Sequence, residues 1–108
     1  MKVRQWEIWK ARPEGFERDH WFVVISGQER LDSPKHQVNG LICYTLRGEP
    51  LKSDVRLNSA DGFASPTVCQ CDLVWLLDKR TLHSHTGSVS WERQQQIKSK
   101  VKDALRFH

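Results

Sequence analysis

The residues best suited to acid–base chemistry in this sequence are one aspartate and one histidine that lie far apart along the chain. Asp72 stands between a Cys-x-Cys pair and five consecutive apolar residues, and a carboxylate in such surroundings is usually paired or used. His20 opens the aromatic and β-branched segment HWFVVIS, and imidazole changes charge near neutral pH. If the fold brings His20 and Asp72 together in one hollow, with Arg18 nearby, the couple can accept and donate a proton.

A second set of residues with possible chemistry contains two cysteines and two histidines. Cys69 and Cys71 precede His83 and His85, and thiolates and imidazoles on neighbouring strands can bind zinc tetrahedrally. Two ligands one residue apart on a strand enclose a metal less readily than a Cys-x-x-Cys knuckle does. Both cysteines also fall on the apolar face of their segment, so buried free thiols are the favoured interpretation and we predict no metal or other cofactor.

Short strands and one C-terminal helix must position these residues. Alternation and β-branched content predict strands at residues 6–11, 20–26, 40–46, 54–57 and 67–77, and a shorter strand or hairpin around Leu82. Residues 12–19 read as a charged loop with Pro and Gly, and residues 28–37 as a polar stretch interrupted by Pro34. In the long segment, alternation places Gln70 and Asp72 on the face opposite the cysteines, towards the predicted hollow.

The C-terminal segment predicts an amphipathic helix. Ser90 is a candidate N-cap, and Glu92 falls in the first turn, where the helix dipole favours an acid. Ile97, Val101 and the pair at 104–105 share one side of the helix. Several short strands closed by one helix indicate a mainly β protein with a small, strongly curved sheet or barrel, and the helix covers one open side.

Length, charge and cysteine content limit the classes of protein that fit. A chain of 108 residues is expected to form one domain over positions 1–108. No apolar stretch approaches the roughly 20 residues that a membrane span needs, and the N-terminus runs into a strand-like pattern rather than a signal peptide. Three cysteines form no disulfide framework, so we expect a reducing, cytoplasmic setting. The net charge of +4 favours a polyanionic partner.

The order of these pieces resembles the MazF/PemK toxins of type II toxin–antitoxin modules. The resemblance runs from about residue 6 to residue 105 and rests on WEIWKA, HWFVVIS, LICYTL, TVCQCDLVWLLDKRTL and TGSVS, followed by the final helix. It implies an SH3-like barrel of the CcdB/MazF type, a homodimer, and metal-independent cleavage of single-stranded RNA, usually mRNA. It also implies an antitoxin whose disordered C-terminal segment inhibits the toxin, contact with operator DNA only through that antitoxin, and no membrane association.

The resemblance also suggests roles for individual residues in RNA cleavage by the neighbouring 2′-hydroxyl. Thr45 falls where the family has a phosphate-contacting Thr, and Asp72 where some members have a carboxylate base. At two positions where the family has arginines this chain has His20 and Gln70, although Arg18 can reach the same space from the loop. The predicted catalytic residues are Asp72, His20, Arg18 and Thr45. The predicted RNA-binding residues are Arg12, Phe16, Arg47, Lys52, Arg56 and Gln70.

Simpler interpretations stand beside these assignments. Asp72 can pair with Lys79 or Arg80, the basic residues can be a solvated surface, and Phe16 can belong to the core. The replaced arginines favour, as the alternative function, a catalytically weak or inactive MazF-like domain that binds RNA or an antitoxin peptide. A gyrase poison similar to CcdB is a third possibility, but residues 105–108 lack that family's terminal Trp-Gly-Ile.

Overall fold

The computed structural model describes residues 2–105, which form seven antiparallel strands and two helices. Residues 106–108, part of the C-terminal segment compared with CcdB, lie outside the described residues. The strands are β1 (Glu7–Ala11), β2 (His20–Val24), β3 (Gln37–Thr45), β4 (Asp54–Leu57), β5 (Thr67–Gln70), β6 (Trp75–Asp78) and β7 (His83–Ser88); the helices are α1 (Gln28–Asp32) and α2 (Trp91–Ala104). Short 3-10 turns cover Ser59–Asp61 and Lys79–Thr81. The strands follow the order β4-β5-β3-β2-β1-β7, and β6 pairs with β3 beyond the end of β5.

The sheet buries apolar side chains on both faces, because successive residues of each strand point to opposite sides. On one side, called here the α2 face, Val23, Leu41 and Cys69 pack beneath Ile97 of α2. On the other, the α1 face, Phe22 and its apolar neighbours pack beneath Leu31 of α1. The predicted mainly β fold with a C-terminal helix over one side is confirmed.

The sheet curls until the turn after β4 meets β7, but β4 and β7 do not pair, so the barrel stays open. Gly62 and Gly87 make the close approach possible, because a Cβ on Gly62 would lie 2.7 Å from the carbonyl oxygen of Thr86. Asp61 joins the same region to α2. Its carboxylate is 1% exposed and accepts hydrogen bonds from the backbone N–H groups of Asn58 (3.0 Å) and Ser90 (2.8 Å).

The segment predicted as one long strand over 67–77 is two strands, so that prediction is wrong. Both lie along the same edge of the nine-residue β3, where β5 pairs Cys69 with Cys43 and β6 pairs Trp75 with Gly40. The chain between these pairs is longer than the β3 segment opposite it, so residues 71–74 leave the ladder as a bulge. Asp72 is exposed on this bulge.

The helices differ from expectation at two points. The polar stretch after residue 27 contains α1, whose single buried side chain is Leu31. In α2 the predicted start is confirmed, with Ser90 at the N-cap and Glu92 in the first turn. Ile97 is buried as predicted, whereas Leu105, the residue that follows α2, is 48% exposed. Neither helix, within residues 2–105, has the length and apolar character that crossing a membrane requires.

Candidate RNA site

A cavity of about 830 Å³ lies at the end of the sheet where β2 begins and β3 ends. One wall is the last part of the β1–β2 loop, residues 17–19, and another is the segment 63–67 that leads into β5. The floor contains residues 20–21 of β2 and 43–45 of β3. The cavity therefore combines a charged loop, two strand ends and a polar turn, and it contains three of the four predicted catalytic residues: Arg18, His20 and Thr45.

His20 is held at the rim of this cavity by aromatic side chains. It is the first residue of β2 and pairs with Ala11 of β1. Its ring meets Phe16 edge to face with centroids 5.0 Å apart, and meets Tyr44 in the same manner at 5.5 Å. Two edge-to-face contacts restrict rotation of the ring, so the imidazole is held in a fixed orientation beside Tyr44, on the α1 face of the sheet.

The cations of the cavity come from two different loops. Arg18 lies in the β1–β2 loop and Arg47 follows β3, and both line the cavity with the hydroxyl of Thr45. Of the acidic residues that line it, Asp19 is engaged elsewhere: its Oδ1 accepts from Nε of Arg12 at 3.2 Å. Guanidinium and hydroxyl donors at one site are suited to binding phosphate oxygens.

Asp72 does not lie in this cavity, so the predicted convergence of His20 and Asp72 is wrong. Asp72 lines a separate hollow of about 560 Å³ with Lys52 and, from α2, Lys100 and Asp103. His20 lies in a cross-strand row with Tyr44 and Val68. Two strand spacings of about 4.8 Å separate His20 from Val68, and Asp72 lies four residues further along the chain, on the bulge after β5.

The simpler interpretation of Asp72 as the partner of Lys79 or Arg80 is also wrong. The ammonium of Lys79 donates to the backbone carbonyls of Leu31 (2.8 Å) and Ser33 (3.0 Å). Arg80 pairs with Asp78 at 2.7 Å, and its guanidinium lowers the pKa of that carboxyl to about 2. Lys79 thus contacts the C-terminal end of α1, and Arg80 contacts the last residue of β6.

The predicted RNA-binding residues are spread over several surfaces. Arg47 lines the 830 Å³ cavity, while Lys52 lines the hollow that contains Asp72. Arg56 lies in a third groove of about 530 Å³ between β4 and α2. Phe16 packs edge to face on Trp75, with centroids 5.1 Å apart, as well as on His20. Gln70 is half-buried at the end of β5, opposite Asp54.

The cysteines and histidines that the sequence offers as possible zinc ligands lie in different environments. Cys69 and Cys71 are fully buried. The thiol of Cys43 beside Cys69, together with burial, raises the pKa of Cys69, and Cys69 in turn raises the pKa of Cys71. Thiols in this state are poor nucleophiles and poor metal ligands. His83 and His85 instead lie on β7 beside carboxylates, and the described residues contain no group of three or more His, Cys, Asp or Glu placed to hold a metal.

Tyr44 and Asp19 also line the cavity, but the sequence pattern identifies neither as a site residue. Tyr44 is 37% exposed and shares the cavity rim with His20. Its only signal was its position next to Thr45 near the end of a strand, which periodicity alone does not distinguish from packing. The sequence indicates Asp19 only as one charge of the loop at residues 12–19, whereas Asp19 contacts Arg12 and His83. Its contacts depend on a strand pairing that the sequence does not reveal.

Comparison with known proteins gives a clear result at the level of structure. No family model and no curated protein matches the sequence. An endoribonuclease from a mycobacterial species, solved with its cognate antitoxin, superposes with a TM-score of 0.82 at 15% identity, over 98% of this chain and 99% of that one. The Mycobacterium tuberculosis toxin MazF-mt6 gives 0.77 at 16% identity, over 91% and 94%. MazE–MazF from Deinococcus radiodurans gives 0.79 at 13% identity, over 100% and 99%. The chain therefore has the fold of these MazF proteins.

Proposed function

We propose that this chain is the toxin of a toxin–antitoxin module and cleaves single-stranded RNA in the 830 Å³ cavity, without a metal. The observation that carries the proposal is that His20, Arg18, Arg47 and Thr45 all line one cavity at one end of the sheet. The shared fold with MazF proteins supports it, since the cavity is formed by elements that superpose over nearly the whole chain. Imidazole, guanidinium and hydroxyl groups suffice for acid–base catalysis and charge stabilisation at a phosphate.

The proposed reaction uses the 2′-hydroxyl of the RNA as the nucleophile. The imidazole of His20 takes the proton from the 2′-oxygen while that oxygen forms a bond to phosphorus. Arg18 and Arg47 stabilise the negative charge that develops on the non-bridging oxygens, and Thr45 donates a hydrogen bond to one of them. The bond from phosphorus to the 5′-oxygen then breaks, and the imidazolium returns a proton to that oxygen. The products are a 2′,3′-cyclic phosphate and a 5′-hydroxyl.

The RNA is held by stacking and by charge. Tyr44 presents an exposed ring beside His20, and an unpaired base can stack on such a ring. Arg56 belongs to the same cross-strand row as Tyr44, two strands further along the sheet. A strand of RNA that crosses this row places its bases on the tyrosine and a neighbouring phosphate near the arginine.

The proposed antitoxin is an acidic, disordered segment that occupies the same cavity. The chain has a net charge of +4, and Arg18 and Arg47 attract a carboxylate as they attract a phosphate. Two of the solved structures with this fold contain a toxin with an antitoxin. We further propose a cytoplasmic homodimer that reaches operator DNA only through the antitoxin.

A second candidate function is RNA or antitoxin-peptide binding without efficient cleavage. It is favoured by the separation of Asp72 from His20, which leaves the imidazole without the predicted carboxylate partner. Gln70, in place of an arginine, adds to it, because an uncharged side chain stabilises a phosphorane less than a cation does.

The test is incubation of the purified protein with a single-stranded RNA in EDTA, followed by analysis of the ends. The proposal expects a cyclic phosphate and a 5′-hydroxyl, and it expects no cut where the nucleotide 5′ to the scissile bond is replaced by its 2′-deoxy form. Binding without cleavage in EDTA and in magnesium would establish the second candidate instead. Cleavage that depends on magnesium would contradict the proposed mechanism.

A further inference from the structure

The β1–β2 loop, which forms one wall of the cavity, is held at its base by a three-residue contact that no catalytic role requires. Asp19, the last residue of the loop, accepts from Nε of Arg12 at 3.2 Å and lies 3.0 Å from Nε2 of His83. Arg12 follows β1 directly, so the Arg12–Asp19 pair closes the loop just beyond the Ala11–His20 strand pair. His83 belongs to β7, on the far side of β1 from β2.

We propose that His83 is a positioning residue that fixes the β1–β2 loop, and with it Arg18, over the cavity by holding Asp19. The predicted effect of His83 on the cleavage rate rests on the proposed RNA cleavage. The anchoring of the loop does not, because it depends only on contacts within the protein. His83 pairs with Lys10 of β1 in the strand register, so its imidazole crosses β1 to reach Asp19. The contact ties three strands together next to Arg18 and His20.

The orientation of the His83 ring is itself defined by its neighbours. Its Nδ1 lies 3.0 Å from Oγ of Ser84, and Ser84 has a positive φ of 57°. Left-handed backbone at a residue other than glycine is uncommon and costs free energy. At Ser84 this backbone conformation accompanies the contact between Oγ of Ser84 and Nδ1 of His83. The other ring nitrogen of His83, Nε2, is then directed at Asp19.

The same strand offers a matched control. His85 also lies beside a carboxylate, with its Nε2 3.5 Å from Glu7, and it stacks on Trp9 with ring centroids 5.0 Å apart. Glu7 belongs to β1 rather than to the loop, so His85 resembles His83 in chemistry and position but does not touch the cavity wall. A variant of His85 therefore shows how much loop proteolysis and RNA cleavage change when β7 loses a histidine that does not contact the loop.

The experiment measures the loop and the reaction separately in the full chain. A glutamyl endopeptidase cuts after Glu14 and Glu17, both in the loop, and the two cuts are identified by fragment mass. His83→Ala is expected to accelerate these cuts about three- to fivefold, the scale of one exposed polar contact, and to lower kcat/KM for RNA by a similar factor. His83→Gln, whose amide nitrogen can donate to Asp19, is expected to restore both to within about twofold of wild type, and His85→Ala to leave both unchanged.

Unchanged loop proteolysis in His83→Ala would overturn the proposal, whatever the effect on RNA. Faster proteolysis with unchanged kcat/KM would overturn the positioning role. If the wild-type protein cleaves no RNA, the proposed function fails, and the proteolysis alone then decides whether His83 anchors the loop. Failure of His83→Gln to restore loop protection would show that His83 acts through bulk rather than through its contact with Asp19.

Discussion

The rings of His20 and Tyr44 meet edge to face, with centroids 5.5 Å apart, where β2 begins and β3 ends. This contact places the imidazole of His20 next to an exposed aromatic surface. An acid–base group and a stacking platform so close together can act on the same nucleotide, with the base on the tyrosine and the ribose at the imidazole.

Tyr44 is expected to bind RNA through its ring. Stacking of one base is worth about 1–3 kcal/mol, so Tyr44→Ala should raise KM on the order of tenfold, while Tyr44→Phe should change it less than about twofold. The matched control is Trp91, an aromatic residue of α2 that is 71% exposed. Steady-state kinetics on one RNA measures all three variants. Equal values of KM for Tyr44→Ala and Trp91→Ala would contradict the stacking role.

Arg18 and Arg47 are expected to contact phosphates. Loss of one phosphate contact on a single strand lowers the slope of log K against log salt by about 0.7, so Arg18→Gln and Arg47→Gln should each flatten the salt dependence by that amount. Lys35→Gln, in a separate groove beside α1, is the control. Binding of a 2′-deoxy RNA measured at several salt concentrations gives the slopes. A Lys35 variant that flattens the slope as much as the Arg18 variant would place the RNA elsewhere.

Asp61 is expected to be structural. Its buried carboxylate accepts from the backbone N–H groups of Asn58 and Ser90 and so joins the turn after β4 to α2. Asp61→Ala leaves both donors unsatisfied and should lower the free energy of unfolding by about 3 kcal/mol, with Asp61→Asn less severe. Asp72→Asn, at an exposed position, should change it by less than about 0.5 kcal/mol. Urea denaturation distinguishes the two, and equal stability of the Ala variant with wild type would refute the assignment.

The buried thiols are expected to make the protein less stable at alkaline pH. The folded state raises the pKa of Cys69 and Cys71 above the ordinary value of 9.0. Above about pH 9 the unfolded chain releases these protons and the folded chain keeps them, so the free energy of unfolding falls as pH rises. The limiting slope is about 1.4 kcal/mol per pH unit for each thiol. Below pH 8 these two thiols should not make the free energy of unfolding depend on pH.

Urea denaturation between pH 8 and 10.5 measures this effect. Cys71→Ala should show a smaller slope than wild type over that range, since one of the two perturbed thiols is gone. The native thiols should also react slowly with a disulfide reagent at pH 8, because they are buried and protonated. A rapid reaction of all three cysteines in the folded protein would show that the cluster is accessible and the pKa argument mistaken.

The fold was predictable because its strands and α2 have strong local signals. Residues 7–11 combine large apolar side chains with two charged ones, residues 20–24 are aromatic and β-branched, and Ser90 with Glu92 marks the start of α2. The break between β5 and β6 was not predictable, because apolar residues continue through it. Only the length of β3, which pairs with both strands, shows that residues 71–74 must bulge.

The site was predictable only where neighbours in sequence are neighbours in space. Arg18 and His20 share the cavity because they sit at one loop end, and Thr45 joins them through the β2–β3 pairing. The predicted position of Asp72 was wrong because strand alternation does not continue across the bulge at residues 71–74. The bulge places Asp72 in another hollow. The contact of His83 with Asp19 depends on the position of β7 beside β1, which no local pattern in the sequence indicates.

The most direct test compares His20→Gln with Asp72→Asn for cleavage of one single-stranded RNA in EDTA. With His20 as the acid–base group and Asp72 outside the site, His20→Gln should slow cleavage at least about a hundredfold, and Asp72→Asn should stay within about threefold of wild type. A large loss in Asp72→Asn with near-normal cleavage in His20→Gln would contradict the account and move the reaction to the hollow beside α2.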